Sequence, residues 1–447
     1  MSADDQPPVT LLSGGLGAGK TTLLNHLLTV GGERYDIAVL VNDVGEVNVD
    51  ADLIESGSDL SVDDGGITAL SNGCICCGLQ DELDQELIRL VLDEEFDYLV
   101  IEASGISDPV PIAGRFVSPA RASALYDLDT TVTVVDAEQF HRAFVEDEPL
   151  TPAENGTRPL SDLLAEQVEF CDVLVLNKCD LVSEAEREAV ERVIHTLHPD
   201  VEIVRATNSA VDPDRILGTG RFDEEAASNA ARWKQIITDD GHEDGGDHDE
   251  EHGHDKHDDH AHEHEHEDDE NHGHDHGHDD DHHDHLHPPE EFGVESFVYE
   301  RHRPFHPERF HDWLRSFPDS VVRAKGHLWV AGRERYALNL SQAGVETHVD
   351  VNGRWAATLP SFQQESYRES RSDLHWDEEW GDRETKLVFI GAGMDEAGIA
   401  EALDDCLLSD AELAADDEWE RFENPFPGTM EQSQPPMEQR LVVGGRQ

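Results

Sequence analysis

Val9-Thr10-Leu11-Leu12-Ser13-Gly14-Gly15-Leu16-Gly17-Ala18-Gly19-Lys20-Thr21-Thr22 decides how the first half of this 447-residue chain folds. Val9–Leu12 is a short aliphatic run of the kind that makes a buried strand, and the residues after Lys20 carry helical spacing. Between them stands Gly14-x4-Gly19-Lys20-Thr21. Glycines there let backbone N–H groups converge on phosphate oxygens, and a helix N-terminus adds positive potential. The run therefore predicts a nucleoside triphosphate cradle made by Gly14, Gly15, Leu16, Gly17, Ala18, Gly19, Lys20, Thr21 and Thr22. Lys20 is expected on the β- and γ-phosphates, and the Thr21 hydroxyl on Mg²⁺.

Outward from the cradle, residues 9–235 alternate short apolar runs with helical patterns, as a mostly parallel α/β sheet with crossover helices requires. Expected strands are Val9–Ser13, Ile37–Asn42, Tyr98–Glu102, Thr131–Asp136, Val173–Asn177 and Glu202–Ala206. Expected helices are Lys20–Leu28, Leu79–Leu92, Leu163–Glu169 and Glu184–Leu197. Tyr98–Glu102 ends in Glu102-Ala103-Ser104-Gly105. A carboxylate at a strand end beside the cradle can hold Mg²⁺ or orient the attacking water, so Glu102 is a catalytic candidate, with Asp43 a second. Gly105 can offer its N–H to the γ-phosphate. The strand Val173–Asn177 runs into Asn177-Lys178-Cys179-Asp180. The Asp180 carboxylate can accept from both N1–H and N2–H₂ of guanine, Lys178 can cover the base with its stem, and Asn177 can tie the loop. GTP is thus favoured over ATP.

Asn72-Gly73-Cys74-Ile75-Cys76-Cys77-Gly78 packs three of the six cysteines into four residues. Such spacing is no disulfide framework, and thiolates are soft ligands for Zn²⁺, Co²⁺ or Cu⁺. Cys74, Cys76 and Cys77 leave one tetrahedral position for a fourth ligand, with Glu46 the candidate, or for solvent. Buried inert thiols or a redox pair are the competing readings. Cys171, Cys179 and Cys406 are isolated and read as ordinary thiols.

These pieces together resemble the CobW family of metallochaperone GTPases among the SIMIBI-type P-loop proteins. The resemblance lies in GGLGAGKTTLLNHLL, VNDVGEVNVD, SNGCICCGLQDEL, IEASGISDP and NKCD, and later in RPFHPERFHDWL, VVRAKGHLWVAGR and KLVFIG. It covers roughly residues 9–235 and 292–408. It implies a GTPase that passes a divalent metal, commonly zinc or cobalt, to a client apo-protein. Ala103, where the family often has Thr, and Cys179 are departures that remove no group assigned to chemistry. The acidic stretch Ala51–Asp64 looks enlarged. A metal buffer or sensor, or an accessory factor for cobalamin or nitrile-hydratase-type cofactor assembly, is the alternative.

Composition changes abruptly at 239–291. Seventeen of the 27 histidines fall between His242 and His287, interleaved with Asp and Glu. So little apolar surface cannot offset ordering entropy, and a disordered, metal-capturing linker is expected. His26, His306 and His327 read instead as structural or surface groups. From residue 292 a folded pattern resumes. Strands are expected at Val294–Tyr299, Val321–Ala324, His327–Ala331, Tyr336–Leu340, Thr347–Val351 and Lys386–Ile390, and helices at Pro307–Ser316 and Asp395–Leu408. The organisation expected is 1–238 a GTPase domain, 239–291 the linker, 292–409 a smaller α+β domain, and 410–447 an acidic, poorly ordered tail.

The formal net charge is −68, from 100 acidic and 32 basic residues. The linker holds 24 of the acids, so 76 still face 31 bases elsewhere. Such an acidic, lysine-poor chain suits a cytoplasm of molar salt, where screening shortens to about 3 Å. The surface therefore reads as a halophile's adaptation rather than a functional feature. It argues against nucleic-acid or anionic-membrane partners. Neither a signal-peptide pattern nor an apolar run of membrane-spanning length is visible, so a cytoplasmic location is expected.

Overall fold

A computed structural model describes residues 6–32, 34–42, 67–70, 80–93, 96–117, 122–150, 159–223, 294–370, 375–428 and 441–444. The first half forms a seven-stranded sheet from β1 (Pro8–Gly14), β2 (Ile37–Asn42), β3 (Ile67–Leu70), β4 (Tyr98–Glu102), β5 (Asp127–Asp136), β6 (Val173–Asn177) and β7 (Glu202–Arg205). Strand order is β3-β2-β4-β1-β5-β6-β7, and every pairing is parallel. Helices α1 (Lys20–Gly31), α2 (Gln80–Asp93), α3 (Val110–Val117), α4 (Ala137–Phe144), α5 (Leu160–Phe170) and α6 (Glu184–Leu197) lie between the strands in sequence.

Successive strand residues point to opposite faces, so a parallel strand covered on both sides must be apolar throughout. The two cores obey this rule. Leu12, Val39 and Val100 meet Leu23, Leu24 and Leu27 of α1 on one face, while Leu11, Leu40 and Ile101 meet Leu83 and Leu87 of α2 and Ile112 of α3 on the other. The α1 leucines are fully buried, each contributing roughly 1.5–3 kcal/mol. Strands Ile37–Asn42, Tyr98–Glu102 and Val173–Asn177 form with the bounds expected from sequence. β3, α3 and α4 were not expected. β3 has only four residues and follows an acidic, glycine-rich stretch, so its pattern is too short to stand out.

The second half forms a six-stranded antiparallel sheet from β8 (Val294–Arg301), β9 (Val321–Leu328), β10 (Tyr336–Ala343), β11 (Glu346–Arg354), β12 (Thr385–Ala392) and β13 (Leu441–Gly444), in the order β13-β11-β10-β9-β12-β8. Helices α7 (Pro307–Leu314) and α9 (Glu396–Asp404) bury Phe310, Trp313, Ile399 and Leu403 against one face of this sheet. Helix α8 (Ser361–Ser370) precedes β12 in the chain. Two expectations are corrected here. The strand expected at Val321–Ala324 runs on through His327 as one strand, β9, which ends at Leu328, short of the expected Ala331. Gly326, which looks like a break in sequence, sits at φ +151°, where a Cβ would collide with the Lys386 carbonyl of β12. The glycine permits close pairing rather than ending the strand.

The expected tail from Asp410 is likewise corrected. Ser409 caps a one-turn helix α10 (Asp410–Leu413) in a reciprocal box with Glu412, and Trp419 and Phe426 are buried behind it. Trp419 stacks on Trp380 at 5.4 Å, and β13 pairs with β11. Acidic composition hid these aromatic anchors. The expected linker 239–291 lies outside the described residues.

The other face of the second sheet meets α5. Arg323 of β9, fully buried, donates to Asp162 Oδ1 at 2.7 Å and Glu169 Oε1 at 2.8 Å, and Lys325 pairs with Glu166 at 2.5 Å. Ser161 donates to Glu346 at 2.6 Å. Val322 and Ala343 join the apolar cluster of α4, α5 and α6.

Candidate nucleotide and metal site

Parallel strands deliver their C-terminal ends to one edge, and the crevice there is where α/β sheets bind ligands. β1 ends at Gly14, β4 at Glu102, β5 at Asp136 and β6 at Asn177. Gly14, Gly17 and Gly19 all have positive φ. At Gly19 a Cβ would run into Asn177 and Ser209, so the loop closes tightly onto the base of the site. Lys20, 8% exposed, holds its Nζ 2.9 Å from Gly14 O and 3.2 Å from Gly15 O. The ammonium is therefore drawn across the loop mouth, over the ground where phosphates are expected.

Thr21 Oγ1 donates to Glu102 Oε1 at 3.0 Å. That contact brings together a hydroxyl and a buried carboxylate named separately from sequence. A small, hard cation that keeps several waters fits such an oxygen pair. Gly105 lies against the cradle: a Cβ there would come within 2.8 Å of Leu16 N. Val41 pairs with Glu102, so β2 leaves the sheet beside it. Asp43 and Glu46, on the stretch that follows, lie outside the described residues. So do Cys74, Cys76 and Cys77.

Asn177 is the clamp that the motif suggested. Its Nδ2 donates to Ala18 O at 2.8 Å and Ser209 Oγ at 2.9 Å, and its Oδ1 accepts from Ser209 N at 2.8 Å. Ser209 Oγ in turn donates to Gly19 O at 3.0 Å. Lys178 sits at φ +58° and pairs its Nζ with Asp136 Oδ2 at 2.7 Å. This lays the lysine stem across the opening between β5 and β6. Asp180 is exposed next to it, and Ser183 then caps α6. Sequence reading missed Asp136 and Ser209. The signal for each was slight: a lone Asp at a strand end before a helical run, and a polar Thr207-Asn208-Ser209 just after the last strand.

Burial pushes the Cys171 thiol up to about 12 and the Cys406 thiol up to about 11. Both are protonated at neutral pH and poor metal ligands. Cys179, half-buried, is also raised by burial. His26 Nε2 donates to Val211 O at 2.8 Å, a structural role as expected.

Sheet order, cradle and base-side clamp together define a P-loop GTPase. A model of the CobW/HypB/UreG nucleotide-binding domain matches residues 8–205, and one of the cobalamin synthesis protein cobW C-terminal domain matches 294–407. The zinc-regulated GTPase metalloprotein activator 1 of Dictyostelium discoideum is 34% identical over 446 residues, covering 94% of this chain and 84% of that protein. The zinc chaperone YjiA of Escherichia coli (strain K12) is 34% identical over 239 residues, covering 51% of this chain and 67% of its own length. The zinc chaperone CobW of Sinorhizobium sp is 31% identical over 259 residues, with 54% and 70% covered. The chain belongs to the CobW/HypB/UreG family and carries the CobW C-terminal domain.

Proposed function

We propose that this chain is a GTP-driven zinc metallochaperone in which the nucleotide controls a thiolate metal site at Cys74, Cys76 and Cys77. The observation that carries the reading is the register at the sheet edge. Leu70, the last residue of β3, pairs with Asn42, and Val41 pairs with Glu102. The cysteine segment follows directly on Leu70 and precedes α2, which begins at Gln80. Its starting point is thus two strand spacings, about 10 Å, from the strand that carries Glu102. That short separation at Leu70 supports a coupling between the γ-phosphate and the segment.

Lys20 and the cradle N–H groups bind the β- and γ-phosphates, Asn177 and Asp180 select guanine, and Glu102 orients the attacking water. Thr21, Glu102 and Asp43 would hold Mg²⁺, which when bound neutralises charge developing on the phosphates. With GTP in place the thiolates, with Glu46 as fourth ligand, bind the cargo ion. After hydrolysis the segment relaxes and the ion passes to a client metalloprotein. Zinc is favoured over cobalt because three related proteins are named for zinc.

The test is zinc affinity measured with a non-hydrolysable GTP analogue and with GDP. Affinity at least about tenfold tighter with the analogue, a coupling of about 1.4 kcal/mol, is expected. Cys76→Ser should abolish that difference while nucleotide affinity is kept. Equal affinities in the unmodified chain would leave a metal buffer that merely contains GTP.

A further inference from the structure

β8, β12 and β9 lie side by side, and their registers set Glu300 opposite Lys386 and Lys386 opposite His327. Side chains two apart on a strand share a face. His302 and Glu384 lie just past the ends of β8 and β12, beside Glu300 and Lys386, and Glu384 reaches His327. Five polar groups thus gather at one end of the second sheet, beyond the Lys325–Glu166 bridge to α5.

The distances suit an ion. One ligand atom each from Glu300, His302 and Glu384 lie within 4.8 Å of one another. His302 stands between the carboxylates, Nε2 at 3.6 Å from Glu300 Oε1 and Nδ1 at 3.7 Å from Glu384 Oε2. His327 Nε2 is 3.1 Å from Glu384 Oε1. Bonds of about 2.1 Å in a tetrahedron set ligands about 3.4 Å apart, close to this spacing. His302 also stacks on His375 at 4.0 Å, which limits how its ring can turn. Glu384 is mostly buried, with 23% of its side chain exposed, and so is screened less than a surface carboxylate.

We propose that Glu300, His302 and Glu384 form a second metal site, for a divalent ion of the zinc and cobalt class, on the C-terminal domain, with His327 holding the Glu384 carboxylate in place. One imidazole and two carboxylates are a mixed N/O set that such ions take, with a position left for solvent. One ring nitrogen of His302 binds the ion, and the other is left to hydrogen-bond, which fixes the ring. Lys386 Nζ, 3.3 Å from Glu300 Oε2, is the built-in competitor. Its ammonium occupies one carboxylate until a doubly charged ion displaces it. The site does not depend on the thiolate segment, so the two stand or fall separately.

The experiment uses the full chain and three variants, His302→Ala, Glu384→Gln and Lys386→Gln. Zn²⁺ is titrated against a competing chelator, and Co²⁺ binding is followed by absorption. The histidine-rich stretch gives every protein the same background. His302→Ala and Glu384→Gln should each weaken one site by at least about tenfold, since loss of outer-sphere partners alone costs 10–100-fold. Lys386→Gln should tighten that same site, a gain that a merely structural role would not produce. The Co²⁺ intensity lost in His302→Ala should be visible d–d absorption without thiolate charge transfer, whereas Cys76→Ser should remove the charge-transfer band and leave the former. Unchanged Zn²⁺ affinity in all three variants overturns the proposal, as does a lost band of thiolate character. Should His302→Ala fail to fold, as judged by circular dichroism and GTP binding, the Lys386→Gln gain still decides.

Discussion

Lys178 and Asp180 occupy one turn but face different tasks. Lys178 is pinned by Asp136 at 2.7 Å, which holds its stem over the opening, while Asp180 is exposed. An Asp→Asn change swaps an acceptor for a donor at an otherwise equal shape. Asp180→Asn should lower GTP affinity by roughly 10- to 100-fold, the worth of a charged hydrogen bond, and should improve binding of xanthosine triphosphate, whose base presents a carbonyl at that position. Competition binding with the two nucleotides measures this; unchanged preference would remove Asp180 from base selection. At this scale sequence was informative wherever residues act at fixed local spacing. Lys20, Thr21 and Asn177 were legible for that reason. Asp136 and Ser209 were not, because what each does depends on which strand folds beside it.

Helix α5 shows what an element can hide. The expectation was a helix over Leu163–Glu169, and the helix runs from Leu160 to Phe170 with Asp162 and Glu169 buried in it. Their partner Arg323 is more than 150 residues away in sequence, so no local pattern could foretell the pairing. Arg323→Ala should destabilise by about 3–5 kcal/mol, because it strands two buried carboxylates without their cation. Chemical denaturation reads this directly, and a loss within about 0.5 kcal/mol would mean that water already reaches the seam. On the second domain, Arg309 and Ser409 hold the Glu412 carboxyl down at about 2. A lowered folded value means stabilisation that is present above the unfolded value of about 4.3 and is lost as pH falls toward about 2. Trp419 Nε1 donates to Glu412 O at 2.7 Å, so tryptophan fluorescence should report an acid step in that window. In Glu412→Gln the step should vanish; its persistence would place the acid sensitivity elsewhere.

At the scale of the whole molecule, charge dominates. With a formal charge of −68, self-repulsion opposes the compact state, and added salt shortens its range from about 10 Å at 0.1 M to about 3 Å at 1 M. Melting temperature should therefore climb as KCl rises from about 0.1 to about 2 M; a flat or falling profile would show that surface pairs such as Arg205–Glu191 and Arg301–Asp404 already balance the repulsion. The fold class was legible from alternating apolar runs, whereas the C-terminal segment was not, since its acidic composition masked Trp419 and Phe426. Among the described residues no helix is long and apolar enough to cross a membrane.

The seam between α5 and the second sheet carries a consequence for the stretch of chain between residues 223 and 294. Both halves are fastened through space by Arg323, Lys325 and Glu346. The intervening residues are thereby relieved of any duty to hold the halves in position. A change in the length of that stretch is therefore expected to leave the seam itself intact.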